Sequence, residues 1–197
     1  MRSDRNNIYV KRVTFFLLVA ATCVVTFAQT SDNPRNEMPM LGELKNPQII
    51  VRKKRRALEV YDGGKLIKTF TVVLGFAPSG DKEIEGDGKT PEGEFYVFTK
   101  NAESKFHLSL GLSYPSKDDA ERGLDAGVIT GSERDAIVSA IDNKTMPPQK
   151  TALGGEIYIH GGGVESDWTW GCVALKNEEI EELFRVIPVG TKVMIKP

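Results

Sequence analysis

Runs of strand character recur along much of this chain, and alternation of apolar and polar positions with a period of two marks a half-buried strand. The clearest case is "KFHLSLGLSYP", where Phe106, Leu108, Leu110 and Leu112 recur at every second position. Upstream, "PQIIVRKKRRALEVYDGGKLIKTFTVVLG" divides into two or three strands. Its "DGG" at 62–64 marks a hairpin turn, because glycine supplies the positive φ such turns need. "GDGKTPEGEFYVFTK" is a glycine-rich loop running into an aromatic, β-branched strand. The pattern changes between 116 and 150. "SERDAIVSAI" places Ala136, Ile137, Ala140 and Ile141 on one helical face behind Ser132 as N-cap, and Pro147 and Pro148 forbid helix in the loop that follows. "EIYIHG" predicts a short strand. "KNEEIEELFRVI" predicts a helix capped by Asn177, with Ile180, Leu183, Phe184 and Ile187 as its buried stripe, and "PVGTKVMIKP" a final turn and strand. The elements add up to a β-rich α+β single domain with two or so helices.

The first residues follow a different rule. "MRSDRNNIYVKR" carries Arg2, Arg5, Lys11 and Arg12 against the single acid Asp4, and the uncharged run "VTFFLLVAATCVVTFA" follows. A positive start, an apolar stretch of about 15 residues and a small-residue exit at Ala28 make up a secretory signal peptide. The run is short of the roughly 20 residues that span a bilayer, which disfavours an uncleaved anchor. The expected organisation is therefore a signal peptide at 1–28, a polar tether at 29–46 and one domain at 47–197, exported to the periplasm or cell-wall space.

Removing residues 1–28 leaves 169 of 197, enough for one hydrophobic core. It takes four of the 26 Lys+Arg and one of the 27 Asp+Glu, leaving 22 against 26, a net charge of −4. That balance gives no electrostatic case for binding nucleic acid or an anionic membrane. The one basic cluster, "RKKRR" at 52–56, reads as a charged hairpin end. Cys23 departs with the leader, so the exported chain keeps Cys172 alone. It has no partner for an internal disulfide, and is either a reactive thiol, an intermolecular bridge or a buried inert residue.

"HGGGVESDWTWGC", residues 160–172, joins that cysteine to one of the chain's two histidines. A thiol attacks carbonyls as thiolate, and a neighbouring imidazole can take its proton. His160 follows a strand, Gly161 to Gly163 allow a sharp turn, and Gly171 leaves the following amide open toward a developing oxyanion. A metal site is not supported. One His and one Cys fall short of three or four ligands, and Asp167 and Glu165 extend no recognisable spacing. On the residues alone, a Cys/His nucleophilic enzyme and a structural histidine stay open.

The stretch "IYIHGGGVESDWTWGCVAL" resembles the signature of the L,D-transpeptidase catalytic domain, in which a strand-borne "HG" precedes "GC" and an apolar residue. "GDGKTPEGEFYV" is similar to the family's Thr-Pro-x-Gly-x-Phe element, and "VGTKVMIKP" to its closing Gly-Thr-x-Val strand. "KFHLSLGLSYPSKDDA" and "TALGGEIYIHG" resemble a murein L,D-transpeptidase-like subgroup. The resemblance covers about residues 47–197. It implies a β-sandwich of mixed sheets and cofactor-free, metal-free acyl transfer on peptidoglycan stem peptides. Cys172 would be the nucleophile, His160 the base, and the Gly171 and Cys172 amides the oxyanion donors. A thioester with the third stem residue would pass to a stem amine as a 3→3 cross-link, to a wall-attached lipoprotein, or to water. A hydrolase of the same chemistry is thus the alternative, and a non-catalytic peptidoglycan-binding module a further one.

The chain departs from the family pattern. Thr169 and Trp170 stand where a Ser-His or Ser-Lys pair is common, and Ala174 where Arg or Asn is common. Trp168 and Trp170 are expected to wall the thioester or to pack the core, and Gly161 to follow the base as in many members. His107 and Tyr114 are candidate substrate contacts implied by the subgroup, and Arg122 a weaker one.

Overall fold

The computed structural model describes residues 40–197; the expected signal peptide at 1–28 and most of the expected tether lie outside the described residues. Eight strands form one mixed sheet: β1 Pro47–Arg52, β2 Ala57–Asp62, β3 Lys65–Thr71, β4 Gly93–Ser104, β5 His107–Leu112, β6 Tyr158–His160, β7 Val173–Ala174 and β8 Lys192–Lys196. Their order is β3-β2-β1-β8-β4-β5-β6-β7, with the β1–β8 and β6–β7 pairs parallel. β4 joins the two halves: Gly93–Tyr96 pairs with β8, while Val97 onward pairs with β5 through an irregular register. Beyond β3 the chain crosses to the far edge, where Val73 bridges Ala174 of β7. The sheet therefore curls as a half-barrel rather than lying flat, and the fold is the β-rich α+β class expected.

Apolar alternation explains the core. Ile49 and Val51 of β1, Leu58 and Val60 of β2, and Val193 and Ile195 of β8 point inward together. The third helix, α3 (Asn177–Val186), closes the same core with Ile180 and Leu183, followed by Ile187. Leu41, inside the segment assigned to the tether, is buried there too, with its carbonyl accepting from Arg185 at 2.6 Å. Residues 40–46 thus lie against the domain, and Asn46 N–H donates to Asp62 at 2.6 Å.

Two helices fill 116–150, where the pattern had shown one. α1 (Lys117–Asp125) escaped notice because acids crowd it, yet Ser116 and Asp119 form a capping box at its start. α2 (Gly131–Asp142) is capped by Thr130 with Glu133, not by Ser132, and of the four positions of its expected stripe only Ile137 is fully buried. The pair has its own small core of Ala120, Ile129, Ile137 and Leu153. Tyr114 ties it to the main core, its hydroxyl donating to the Leu153 carbonyl at 2.9 Å.

The basic corner is more than a charged hairpin end. A 3-10 turn at Lys53–Arg55 links β1 and β2, and Lys53 is buried, its ammonium donating to the Thr90 carbonyl at 2.7 Å and pairing with Glu92 at 2.9 Å. Arg56, left-handed at φ 48, turns its guanidinium onto Asp167. Two of the five cations are internal clamps, because the corner packs against loops that bring carbonyls and carboxylates to it.

Candidate active site

His160 ends β6, where the register sets it opposite Ser109 of β5 and Ala174 of β7. Only 2 % of it is exposed. Its Nδ1 lies 2.6 Å from the Gly161 carbonyl. A carbonyl only accepts, so this contact assigns the proton to Nδ1 and leaves the Nε2 lone pair free. Phe106 stacks on the ring at 4.7 Å between centroids, and Trp168 meets it edge-on at 5.5 Å. Burial lowers the imidazole pKa below its ordinary value, and the Gly161 carbonyl offsets part of that. The base candidate is neutral at rest.

A side chain at Gly161 would displace its neighbours: an added Cβ would come within 2.6 Å of Asn177 Oδ1 and 3.0 Å of the Phe106 carbonyl. That same Oδ1 accepts from the Gly162 N–H at 2.9 Å. Asn177 is therefore a clamp on the turn after His160 and not the cap of α3, which falls at Lys176, whose N–H donates to the Glu179 carboxylate at 3.1 Å.

Cys172 follows a loop stitched to the chain that leaves β3. Thr169 N–H donates to the Leu74 carbonyl at 3.2 Å, and Phe76 N–H to the Thr169 carbonyl at 3.0 Å. Asp167 accepts from Arg56 and from the Leu74 N–H at 2.8 Å. Burial alone would raise its pKa, but these donors outweigh it and hold the carboxyl below its ordinary value. The Thr169 hydroxyl donates to the Cys172 carbonyl at 2.8 Å and accepts the Gly171 N–H at 3.2 Å. Gly171 is thus already engaged, whereas the Cys172 N–H meets no acceptor among the described residues. Gly171 sits at φ 126, and a Cβ there would lie 2.7 Å from the Lys89 carbonyl.

The thiol is half-buried, donating to the Glu156 carbonyl and accepting from the Tyr158 N–H, both at 3.4 Å. Burial pushes its pKa up to about 11. The Tyr158 N–H opposes this, the Glu156 charge adds to it, and Lys82 opposes it. Two cavities are lined by Cys172. One of about 400 Å³ holds His160, Ser109, Tyr158, Phe106 and Lys105; the other, of about 840 Å³, holds Glu85, Gln149, Lys150, Thr151 and Trp170. Cys172 and Glu156 line both. The loop after α2 supplies one wall of the larger cleft.

The structure brings together Cys172, His160, Gly161, Gly171, Trp168 and Trp170. Trp168 packs on the imidazole, and Trp170 stands 69 % exposed at the larger cleft, edge-on to Phe76 at 4.8 Å. His107 and Tyr114 are placed elsewhere: His107 bonds Glu181 on α3 at 2.6 Å, and Tyr114 is fully buried in the core. Neither lines a cleft at Cys172. Arg122 pairs with Asp81 and Asp119, both at 2.6 Å. Phe106 and Glu156 escaped sequence reasoning. Phe106 looked like one more buried position of an alternating strand, and Glu156 like a polar residue before one. The glycine pair at 154–155 was the available signal for the second. No group of three or more His, Cys, Asp or Glu among the described residues is gathered to hold a metal.

A strand-borne neutral imidazole and a cysteine that lines two clefts sit on a curled mixed sheet. The family model of the L,D-transpeptidase catalytic domain matches residues 46–195. The chain belongs to that family. YqjB of Bacillus subtilis (strain 168), a provisionally named L,D-transpeptidase, is 30 % identical over 167 residues, covering 82 % of this chain and 76 % of YqjB. The crystal structure of the helical cell shape determining protein Pgp2 (K307A mutant) from Campylobacter jejuni is 25 % identical with a TM-score of 0.52, covering 80 % of this chain and 49 % of that one. Bd1075 of Bdellovibrio bacteriovorus shares the fold at 21 % identity and a TM-score of 0.51, over 78 % and 48 % of the two chains. This L,D-transpeptidase domain thus spans about half the length of those two solved structures. No helix among its described residues is long and apolar enough to cross a membrane.

Proposed function

We propose that this domain transfers acyl groups between peptidoglycan stem peptides through a thioester on Cys172. The observation that carries the reading is that Cys172 lines two clefts, one of which it shares with a buried imidazole whose Nδ1 is engaged and whose Nε2 is left to act as base. A transferase needs room for an acyl donor on one side and an acceptor on the other, and one nucleophile within reach of both.

At rest both groups are neutral, because burial disfavours the thiolate and the imidazolium alike. In this mechanism His160 Nε2 takes the thiol proton as the sulfur attacks the carbonyl of the third residue of a stem tetrapeptide. The Cys172 N–H faces the oxyanion; Gly171, held by Thr169, shapes the turn instead. The imidazolium then protonates the departing D-Ala amine, and a second stem's amine resolves the thioester as a 3→3 cross-link. The family's cell-wall substrate and the leader at 1–28 support action outside the cytoplasm.

The test is incubation with disaccharide-tetrapeptide. Release of D-Ala, a thioester adduct on Cys172 that is absent in Cys172→Ala, and 3→3 dimers are expected. Unchanged tetrapeptide and an unmodified Cys172 would refute the reading, while tripeptide without dimers would leave water as the acceptor.

A further inference from the structure

The two clefts offer a ligand different chemistry. The smaller carries the imidazole. The larger carries the carboxylates of Glu85 and Glu156, the ammoniums of Lys82 and Lys150, and the indole of Trp170. Lys82 is not available to a ligand: it is buried, with its Nζ donating to Asp87 at 2.8 Å and to the Ile84 carbonyl at 2.9 Å. Two carboxylates then line the cleft against one ammonium, that of Lys150, that has no ion-pair partner among the described residues.

Glu156 is the better placed of the two acids. Its carbonyl accepts the Cys172 S–H at 3.4 Å, and its N–H donates to Gln149 Oε1 at 2.7 Å, so its main chain is anchored beside the sulfur. Its side chain is exposed and forms no ion pair among the described residues. Its charge reaches both Cys172 and Tyr158, whose pKa values it helps to raise. Trp170 lines the same cleft, with its ring braced at 87° against Phe76. Such a face covers an aliphatic chain and attracts a cation.

We propose that Glu156 is the specificity-determining residue for the acyl acceptor, receiving a primary ammonium on an aliphatic side chain that enters by the larger cleft across Trp170. This rests on the transferase reading above. A neutral thioester exerts no pull on a cation, so a carboxylate beside it concentrates amine over water at the point of attack. In the step itself the ammonium loses one proton to solvent. The amine nitrogen bonds the thioester carbon and the C–S bond breaks. The second nitrogen proton passes through His160 to sulfur, restoring thiol and neutral imidazole.

Glu156→Gln keeps the shape and removes the charge. With the full chain acylated by disaccharide-tetrapeptide, aminolysis is followed with Nα-acetyl-lysine amide, a cationic acceptor, and with hydroxylamine, which is neutral at pH 7.5. The substitution is expected to raise KM for the lysine amide about tenfold, the scale of one charge-assisted hydrogen bond, with under twofold change for hydroxylamine. Glu156→Asp should recover part of the loss, and added salt should shrink the wild-type preference. An acylated Glu156→Gln protein with unchanged KM for the lysine amide, or equal losses for both amines, overturns the inference alone. Absence of any adduct on wild-type Cys172 overturns the transferase reading and this inference with it.

Discussion

The two proposed reacting groups of the site are held by different forces. His160 is gripped by packing: it ends a strand in ladder contact with β5, and Phe106 and Trp168 close over its ring. Cys172 is held by polar stitching between parts of the chain far apart in sequence. Asp167 reaches Arg56, 111 positions away, and Thr169 binds the 74–76 segment. Apolar packing is spread over many weak contacts and tolerates local change, whereas a stitched loop depends on a few directional bonds. The imidazole should therefore resist small substitutions around it, and the thiol should not.

Replacing the histidine tests the packed side most severely. His160→Ala should lower the rate of thioester formation by about 10²–10⁴-fold, the range for a general base, with the fold intact by circular dichroism. A drop under threefold would remove His160 from the reaction.

On the stitched side, Gly171→Ala forces a side chain into φ 126 and toward the Lys89 carbonyl. A loss of about 2 kcal/mol, a Tm lower by roughly 4–8 °C, and acylation reduced with it are expected. Asp167→Asn should act more gently. It leaves the amide oxygen to accept the Leu74 N–H but weakens the partly exposed Arg56 pair, for about 1 kcal/mol or less. Its effect should fall on acylation rate more than on Tm; the reverse pattern would make Asp167 a fold residue only.

The subtlest difference is electrostatic. Burial lowers the His160 pKa and raises that of Cys172 to about 11, so the resting pair is neutral between those values. Iodoacetamide labelling of Cys172 should rise with pH along a limb centred well above the roughly 8.5 of a free thiol. A labelling plateau already present at pH 6 would show a resting thiolate–imidazolium pair instead.

Periodicity and turn chemistry are local, and they carried much of the fold: the period of two in β5, the strand character of β1, β2 and β8, the "DGG" hairpin, and the stripe of α3. They failed where local signals competed. α1 was hidden by its own charge, and Thr130 outbid Ser132 as a cap because Glu133 completes the box from that position. His107 and Tyr114 looked alike as polar-tipped residues of one strand region, yet one faces α3 and the other seals the core.

The chain by itself set a histidine at a strand end and a lone cysteine after glycine on one short stretch that resembles the family's signature, because residue order and spacing are written locally. Only the tertiary structure decided what surrounds them. Which ring nitrogen is free, which amide is already engaged, that Trp168 covers the imidazole while Trp170 stands in a cleft, and that Glu156 lies beside the sulfur all depend on contacts across the sheet. Residues distant in sequence meet there through burial and hydrogen bonding that no local pattern encodes.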